Sequence, residues 1–225
     1  MTFTITSQNT PFGFAMFASR PHPSGTIAVL LDEPNPRAAL YAAKKSGVTR
    51  VIEAVTAASV DRLLESGDVL IPDQLADLTQ GRPSTFFANR GYGFIAQHDV
   101  WCPATREALL AGAREINQRA FGRGTLAVVD EGADLSAAPG WGAHAAAVTG
   151  APAAYLAKEL ELCYAVVVIV GAAASEQGNA IIAAMLKHLP PERACACGQT
   201  MAAARERGLV GEDWQTWIGD HTHGD

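Results

Sequence analysis

The chain has 225 residues, 48% of them hydrophobic and 18% charged, which is enough apolar mass for a sizeable core and excludes a disordered protein. The 17 basic and 23 acidic residues give a formal net charge of -6, so no general attraction to phosphate backbones or anionic lipid is expected. We therefore expect neither nucleic acid nor a membrane as a partner.

The hydrophobic residues are mostly small and aliphatic. Aromatic residues make up 7% of the chain, and an apolar mass of Ala, Val and Leu suits tightly packed layers of helices on a sheet. The longest apolar run, 165–174, has ten residues, about half of the ~20 that a membrane span needs. The polar segment 1–9 lacks the apolar region of a secretory signal. A cytoplasmic α/β protein is therefore expected.

Strand and helix patterns alternate along the chain. Asn35 as N-cap and Pro36 at the first helical position predict a helix start, and Gly47 predicts its end. Residues 166–170 are all β-branched without polar alternation, which is typical of a strand covered on both faces. Strands are expected over 26–31, 50–55, 69–71, 125–129 and 163–170, and helices over 37–46, 103–118, 152–162, 176–188 and 191–207.

This alternation predicts one α/β domain over residues 1–225, built on a mixed, mostly parallel β-sheet flanked by helices. Residues 210–225 are expected to form a flexible tail. Ligands bind beyond the carboxyl ends of the strands in such sheets. The residues that follow strands are therefore the candidate site residues.

Four segments carry a resemblance to a known family. They read TPFG at 10–13, SGDVLIPDQ at 66–74, CPATRE at 102–107 and LAKELELCYA at 156–165. In this order, over roughly residues 10–190, they are similar to the trimeric nucleoside phosphorylases, in particular to their methylthioadenosine phosphorylase branch. The resemblance implies a phosphorylase-like fold, a small-molecule ligand and a homotrimer with one active site per subunit near a subunit interface.

The resemblance stops where that family binds phosphate. Its Arg-His-Gly element corresponds to Leu31-Asp32-Glu33, which places two carboxylates where a cation would attract an anion. A small-residue turn after 50–55 becomes Thr56-Ala57-Ala58-Ser59, which keeps two hydroxyls but no glycine. A diverged protein that has lost phosphate binding is therefore expected.

The family's nucleoside-binding positions differ as well. The loop with its base-recognising Asp corresponds to 171–174, a glycine followed by three alanines. Its Asn-Met-Thr segment, which lies along the ribose, corresponds to Ala147-Val148-Thr149, and the neighbouring subunit's sugar-binding His corresponds to Phe94. Only Thr149 is retained here, so the purine-binding residues are expected to be lost.

A rebuilt site would use the polar and aromatic residues that remain. Asp130 and Glu131 follow the strand at 125–129, where desolvation can raise the pKa of a carboxyl and fit it for general acid or base catalysis; a solvated acidic loop is the alternative. The expected substrate-binding residues, with core packing or plain surface exposure as the alternative, are Thr56, Ser59, Phe94, Trp141, His144 and Thr149.

Two short motifs contain residue types that bind metal ions. Cys195 and Cys197 form a C-x-C pair, and His221 and His223 lie in the polar C-terminal segment. C-x-C differs from the C-x2-C spacing common in zinc sites, and two buried cysteines on a helix are the alternative. We expect free thiols, no metal and no cofactor.

Three functions stay open at this point. The preferred one is phosphate-independent chemistry on a small apolar or nucleoside-like metabolite, in a specialised biosynthetic pathway. A non-catalytic ligand-binding or assembly subunit is the second. Phosphorolysis of a purine nucleoside or of methylthioadenosine is the third.

Overall fold

The computed structural model describes residues 3–30, 35–87, 99–136, 138–171 and 174–218. Its helices are α1 (Pro36–Lys45), α2 (Pro103–Glu115), α3 (Ala153–Glu159), α4 (Ala174–Met185) and α5 (Ala202–Glu206). Its strands are β1 (Thr4–Thr10), β2 (Gly13–Arg20), β3 (Thr26–Leu30), β4 (Val48–Ser59), β5 (Val69–Leu70), β6 (Gln74–Asp77), β7 (Ala120–Phe121), β8 (Thr125–Val128), β9 (Ala145–Ala147) and β10 (Cys163–Val170).

The strands form one continuous sheet with two arms. The long arm has the order β1-β2-β3-β4-β10-β5-β7, and the short arm, β6-β8-β9, joins it where β9 pairs with the end of β4. Five of the nine strand pairs in the described ranges are parallel and four are antiparallel. The predicted mixed, mostly parallel sheet flanked by helices is confirmed.

The centre of the sheet is formed by β4 and β10, which are covered on both faces. All eight residues of β10 are buried, as the unbroken β-branched run predicts. Helices α1 and α3 pack on one face, whereas α2 and α4 pack on the other. Because successive side chains alternate between faces, Val51 and Tyr164 join the core under α1 and α3, and Ile52 and Ala165 join the core under α2 and α4.

The start of α1 is fixed by the side chain of Asn35. Its Oδ1 accepts a hydrogen bond from the backbone N–H of Ala38 at 3.1 Å, which confirms the predicted N-cap. Its Nδ2 donates to the carbonyl of Phe12 at 2.6 Å, in the turn between β1 and β2. One side chain therefore ties the hairpin to the helix.

Small residues bring α2 and α4 close together. A Cβ atom added to Gly112 would lie 2.5 Å from the backbone nitrogen of Met185, the last residue of α4. The two helices therefore touch at this point without an intervening side chain.

The C-terminal region differs from its prediction. In place of a helix over 191–207, a single 3-10 turn (Ala196–Gln199) precedes the short α5. Arg193 donates to the carbonyl of Glu161 at 2.5 Å and to Cys163 Sγ at 3.2 Å, so tertiary contacts override the helical pattern there. The predicted flexible tail also differs over 210–218, because Trp217 is 2% exposed and packs with Val210. Residues 219–225 lie outside the described residues.

No helix in the described ranges is both long and apolar enough to cross a membrane.

Candidate functional site

A cavity of about 570 Å³ opens beside the amino end of α1. Its walls come from three segments, 35–37, 82–83 and 148–153, together with the side chains of Glu53 and Glu131. Prolines and alanines make most of the wall apolar. Of the predicted site residues, Glu131 and Thr149 line this cavity.

Glu53 is a buried carboxylate in the cavity wall. It lies in the middle of β4, is 5% exposed, and accepts a hydrogen bond from the phenol of Tyr164 on the neighbouring strand β10. Burial raises the pKa of Tyr164 well above its usual value, and the negative charge of Glu53 adds to the effect. Glu53 was not among the predicted site residues, although a charged residue inside the apolar run of a central strand is a usable signal.

Arg82 braces the loops around the cavity. Its Nε lies 3.0 Å from Asp130 Oδ1, its Nη1 donates to the carbonyl of Val148 at 2.7 Å, and its Nη2 donates to the carbonyl of Val129 at 3.1 Å. The other Asp130 oxygen accepts from the N–H of Gln80 at 2.9 Å. The structure therefore places Asp130, a predicted catalytic residue, behind Arg82 rather than in the cavity lining.

A second guanidinium, that of Arg37, lies in the first turn of α1. It stacks on the ring of Phe12 at 4.4 Å and lies 5.8 Å from the ring centre of Phe86. Burial lowers the pKa of Arg37, and attraction to Glu159 opposes that shift.

Glu159 lies behind this layer and is 3% exposed. It accepts hydrogen bonds at 2.6 Å from Thr85 Oγ1 and at 2.6 Å from the N–H of Phe86. Burial raises the pKa of this carboxyl to about 7, although the hydrogen bonds from Thr85 and Phe86 and the charge of Arg37 oppose the rise. Glu159 carries no local sequence signal, because the groups that hydrogen-bond to it belong to residues more than 70 positions away.

The charges around the cavity do not favour an anion. Two guanidiniums, Arg37 and Arg82, are opposed by the carboxyl groups of Glu53 and Glu131 in the wall and of Asp130 behind it. A bound phosphate would therefore meet no excess of positive charge.

The remaining predicted substrate-binding residues do not share this cavity. The Ser59 hydroxyl lies 2.7 Å from the Asp61 carbonyl and 2.9 Å from the Leu64 carbonyl, so it closes a turn. His144 Nδ1 accepts from the N–H of Thr125 at 3.0 Å. Thr56 is exposed within β4, and Trp141 is 44% exposed at the end of a 3-10 turn. Outside the described residues lie Phe94, Asp32, Glu33 and the alanines at 172–173.

Four cysteines meet outside this cavity. The cysteine cluster comprises Cys102, Cys163, Cys195 and Cys197, whose sulfur atoms all lie within 4.8 Å of one another. Cys102 precedes α2, Cys163 begins β10, Cys195 precedes the 3-10 turn at 196–199, and Cys197 lies within that turn. The C-x-C spacing drew attention to two of these residues, and the fold adds the two others.

Comparison with known proteins agrees with this architecture. The family model described as the Phosphorylase superfamily matches residues 33–189. The 6-oxopurine nucleoside phosphorylase of Pyrococcus furiosus is 32% identical over 203 residues, covering 76% of this chain and 76% of that protein. The S-methyl-5'-thioadenosine phosphorylase of Mycobacterium tuberculosis is 37% identical over 140 residues, covering 60% of this chain and 50% of that protein.

Solved structures show the same fold. A variant of the adenosine/methylthioadenosine phosphorylase from Schistosoma mansoni, in complex with adenine, superposes with a TM-score of 0.71 at 20% identity, covering 96% of this chain and 95% of that one. The expected phosphorylase-like fold is confirmed. The family match spans most of the chain, so this protein belongs to the phosphorylase superfamily.

Proposed function

We propose that the cavity beside α1 binds a neutral, nucleoside-like molecule and that the protein acts on it by carboxylate acid–base chemistry without phosphate. The observation that carries this proposal is the pair of carboxylates, Glu53 and Glu131, in the wall of an otherwise mainly apolar cavity. A carboxylate in a ligand cavity can accept a hydrogen bond from the ligand or transfer a proton to or from it.

The size of the cavity and the family support a nucleoside-like ligand. Small-molecule sites occupy roughly 300–1,000 Å³, and this cavity has about 570 Å³. The named relatives are phosphorylases of 6-oxopurine nucleosides and of methylthioadenosine. The ligand class, though not the reaction, is carried over from them to this chain.

The contacts of Arg82 support chemistry without phosphate. Its Nε faces Asp130, and both of its Nη atoms donate to carbonyls of the surrounding loops. A guanidinium used in this way has few N–H groups left for a phosphate. The acidic residues Asp32 and Glu33, which correspond to the Arg-His-Gly element of the family, also disfavour the binding of an anion.

Each polar residue of the wall has a distinct role in this proposal. Glu131 is exposed, follows β8 and lines the cavity, so it can exchange protons with solvent as the general acid or base. Glu53, held by Tyr164, accepts a hydrogen bond from a ligand hydroxyl. Thr149 orients the ligand, and Asp130 is a positioning residue that acts through Arg82.

The names of the relatives favour a second candidate, phosphorolysis of a purine nucleoside or of methylthioadenosine. A non-catalytic binding subunit is the third. The three differ in what they require: phosphorolysis needs phosphate, phosphate-independent chemistry needs a carboxylate, and a binding subunit needs neither for ligand affinity.

The effect of phosphate on binding and turnover separates these candidate functions. Methylthioadenosine, adenosine and inosine are each offered to the protein with and without phosphate, and thermal denaturation and product formation are followed. We expect at least one nucleoside to raise the melting temperature, as any ligand of the folded state does, whereas phosphate alone leaves it unchanged. Turnover, where present, is expected to be the same with and without phosphate.

Glu131→Gln provides the matched test of the catalytic role. It should abolish turnover and leave the melting temperature unchanged, since Glu131 is exposed, while the exposed Glu206→Gln keeps both. Turnover that depends on phosphate would replace the proposal with phosphorolysis. Nucleoside binding without turnover under either condition would leave a binding subunit.

We also propose a cytoplasmic homotrimer. Val148 lines the cavity and is still 44% exposed, and Trp141 nearby in the chain is also 44% exposed. A neighbouring copy that covered Val148 would bury this exposed apolar side chain and complete the wall of the cavity there.

Light scattering tests the trimer. The expected mass is about three times the chain mass of 23.6 kDa. Val148→Asp should lower it because a buried, unpaired charge disfavours association, whereas Leu209→Asp, at a position that is 47% exposed near the C-terminus, should not. A wild-type monomer would contradict the proposed assembly.

A further inference from the structure

The cysteine cluster has the geometry of a mononuclear metal site. In a tetrahedral zinc site with four Zn–S bonds of ~2.3 Å, neighbouring sulfurs lie about 3.8 Å apart. All four sulfurs lie within 4.8 Å of one another, and Cys163 and Cys195 are separated by 3.2 Å. Shifts well below 1 Å per sulfur would therefore give tetrahedral coordination of one ion.

The backbone around the cluster is held by secondary structure. The N–H of Cys102 donates to the carbonyl of Tyr164 at 2.8 Å, so the start of α2 is tied to the start of β10. Arg193 anchors the third segment by donating to the carbonyl of Glu161 and to Cys163 Sγ. The sulfurs of three separate segments therefore converge because the fold places them there.

Two guanidiniums beside the cluster favour a negatively charged group there. Arg50 is 0% exposed, and its Nη1 lies 3.9 Å from Cys102 Sγ. None of the carboxylates in the described ranges forms an ion pair with Arg50 or Arg193. A guanidinium does not lose its proton in a protein, and an unbalanced buried charge is costly. Negative sulfur atoms would supply the missing charge.

Arg50 also has an unsatisfied donor. Its Nη2 is buried and has no hydrogen-bond partner, although Ser24 and Thr105 occupy the other nitrogens. Buried donors without partners are rare, and an electron-rich metal thiolate beside the guanidinium would compensate for this one electrostatically.

We propose that one Zn²⁺ ion binds the four thiolates of the cysteine cluster. Four thiolates and the ion carry a net charge of -2. The positive charges of Arg50, Arg193 and the buried Lys158 offset this negative charge. Thiolate ligands select zinc among the common divalent ions, and binding releases the thiol protons to solvent. Because four protein ligands leave no coordination position for water or substrate, the site is structural.

The ion has a route into the protein. Cys195 is only partly buried, and it lines with Cys197 and Lys158 a second cavity of about 530 Å³ that opens to solvent. The bound ion would connect the 3-10 turn at 196–199 to both α2 and β10. The C-terminal region thereby gains a crosslink that its short helices do not provide.

The test begins with metal analysis of the full-length protein produced in zinc-supplemented medium under reducing conditions. We expect about one zinc per chain, with four thiols that resist modification until a chelator removes the metal. Replacement by Co²⁺ should give the intense absorption of tetrahedral cobalt thiolate. A protein without zinc, whether with four freely reactive thiols or with disulfides, would overturn the proposal.

Variants identify the ligands. Cys195→Ser and Cys197→Ser should each lower the zinc content to a small fraction of the wild-type value. His221→Ala with His223→Ala should leave the content at one per chain, and zinc loss in this variant with retention in the cysteine variants would overturn the assignment. Circular dichroism shows whether each variant is folded.

A variant that keeps all four ligands covers the case of misfolding. Arg193→Gln removes the N–H donor to Cys163 Sγ and should weaken zinc retention against a chelator by about 10-fold or more, as loss of an outer-shell partner does. The exposed Arg207→Gln is the control and should retain zinc like the wild type. Equal retention by both variants would contradict the charge argument.

Discussion

Replacing Gly112 with alanine is expected to destabilise the protein by roughly 2 kcal/mol or more, although alanine is the better helix former by about 1 kcal/mol. The added Cβ would lie 2.5 Å from the backbone N and 2.8 Å from the Cα of Met185. Backbone atoms of a packed helix cannot rotate away, so α2 and α4 must move apart. In thermal denaturation followed by circular dichroism, the melting temperature should fall by about 4–8 °C.

Gly140→Ala is the matched control for this substitution. A Cβ atom at Gly140 has no heavy atom of another residue within 4 Å, and the backbone there is not left-handed. Its melting temperature should stay within about 1–2 °C of the wild type. A Gly112→Ala protein as stable as the wild type would mean that α2 and α4 do not touch at this point.

The second large effect concerns pH. The pKa of the Glu159 carboxyl is raised to about 7 in the folded protein, mainly by burial, from the ordinary value of 4.5. The folded state therefore holds this proton more tightly than the unfolded state. The contribution of this carboxyl to the free energy of unfolding is fully present below pH 4.5. It is lost as the pH rises through about 7, a change of about 3 kcal/mol.

Chemical denaturation at several pH values measures this contribution as the difference between the wild type and Glu159→Gln. The amide can still accept from Phe86 and donate to Thr85, so the variant should fold and lack this part of the pH dependence. Glu115→Gln should change the pH dependence of the free energy of unfolding in the opposite sense. Hydrogen bonds from Lys187 and His188 lower the pKa of Glu115, so its contribution is present at higher pH and lost on acidification. Identical pH profiles for the wild type and Glu159→Gln would contradict the raised pKa.

Local sequence signals account for the parts of the fold that were predicted. The β-branched run at 166–170 belongs to the buried β10, and Asn35 caps α1 as its side-chain chemistry indicates. The segment 191–207 shows the limit of such signals. Its helical pattern is real, but Arg193 finds partners on β10 and the preceding loop, and these contacts determine the path of the chain.

The candidate site was only partly predictable for a related reason. Glu131 and Thr149 follow strands and line the cavity. Asp130 follows the same strand, but a contact with Arg82, 48 positions away, gives it a bracing role. The cysteine cluster was not predicted for the same reason, because Cys102 and Cys195 are far apart in the sequence and share no local motif.

Strand β4 contributes to both the cavity and the cysteine cluster. Arg50, beside the cluster, and Glu53, in the cavity wall, are three residues apart, so their side chains leave opposite faces of the sheet about 10 Å apart along the strand. The hydrogen-bonded backbone of β3, β4 and β10 lies between them. Substitutions at the two sites should therefore have additive free energies. Substitutions at one site therefore leave the other unchanged. A chain of this fold can keep the crosslink at the cysteine cluster while the residues that line the cavity diverge.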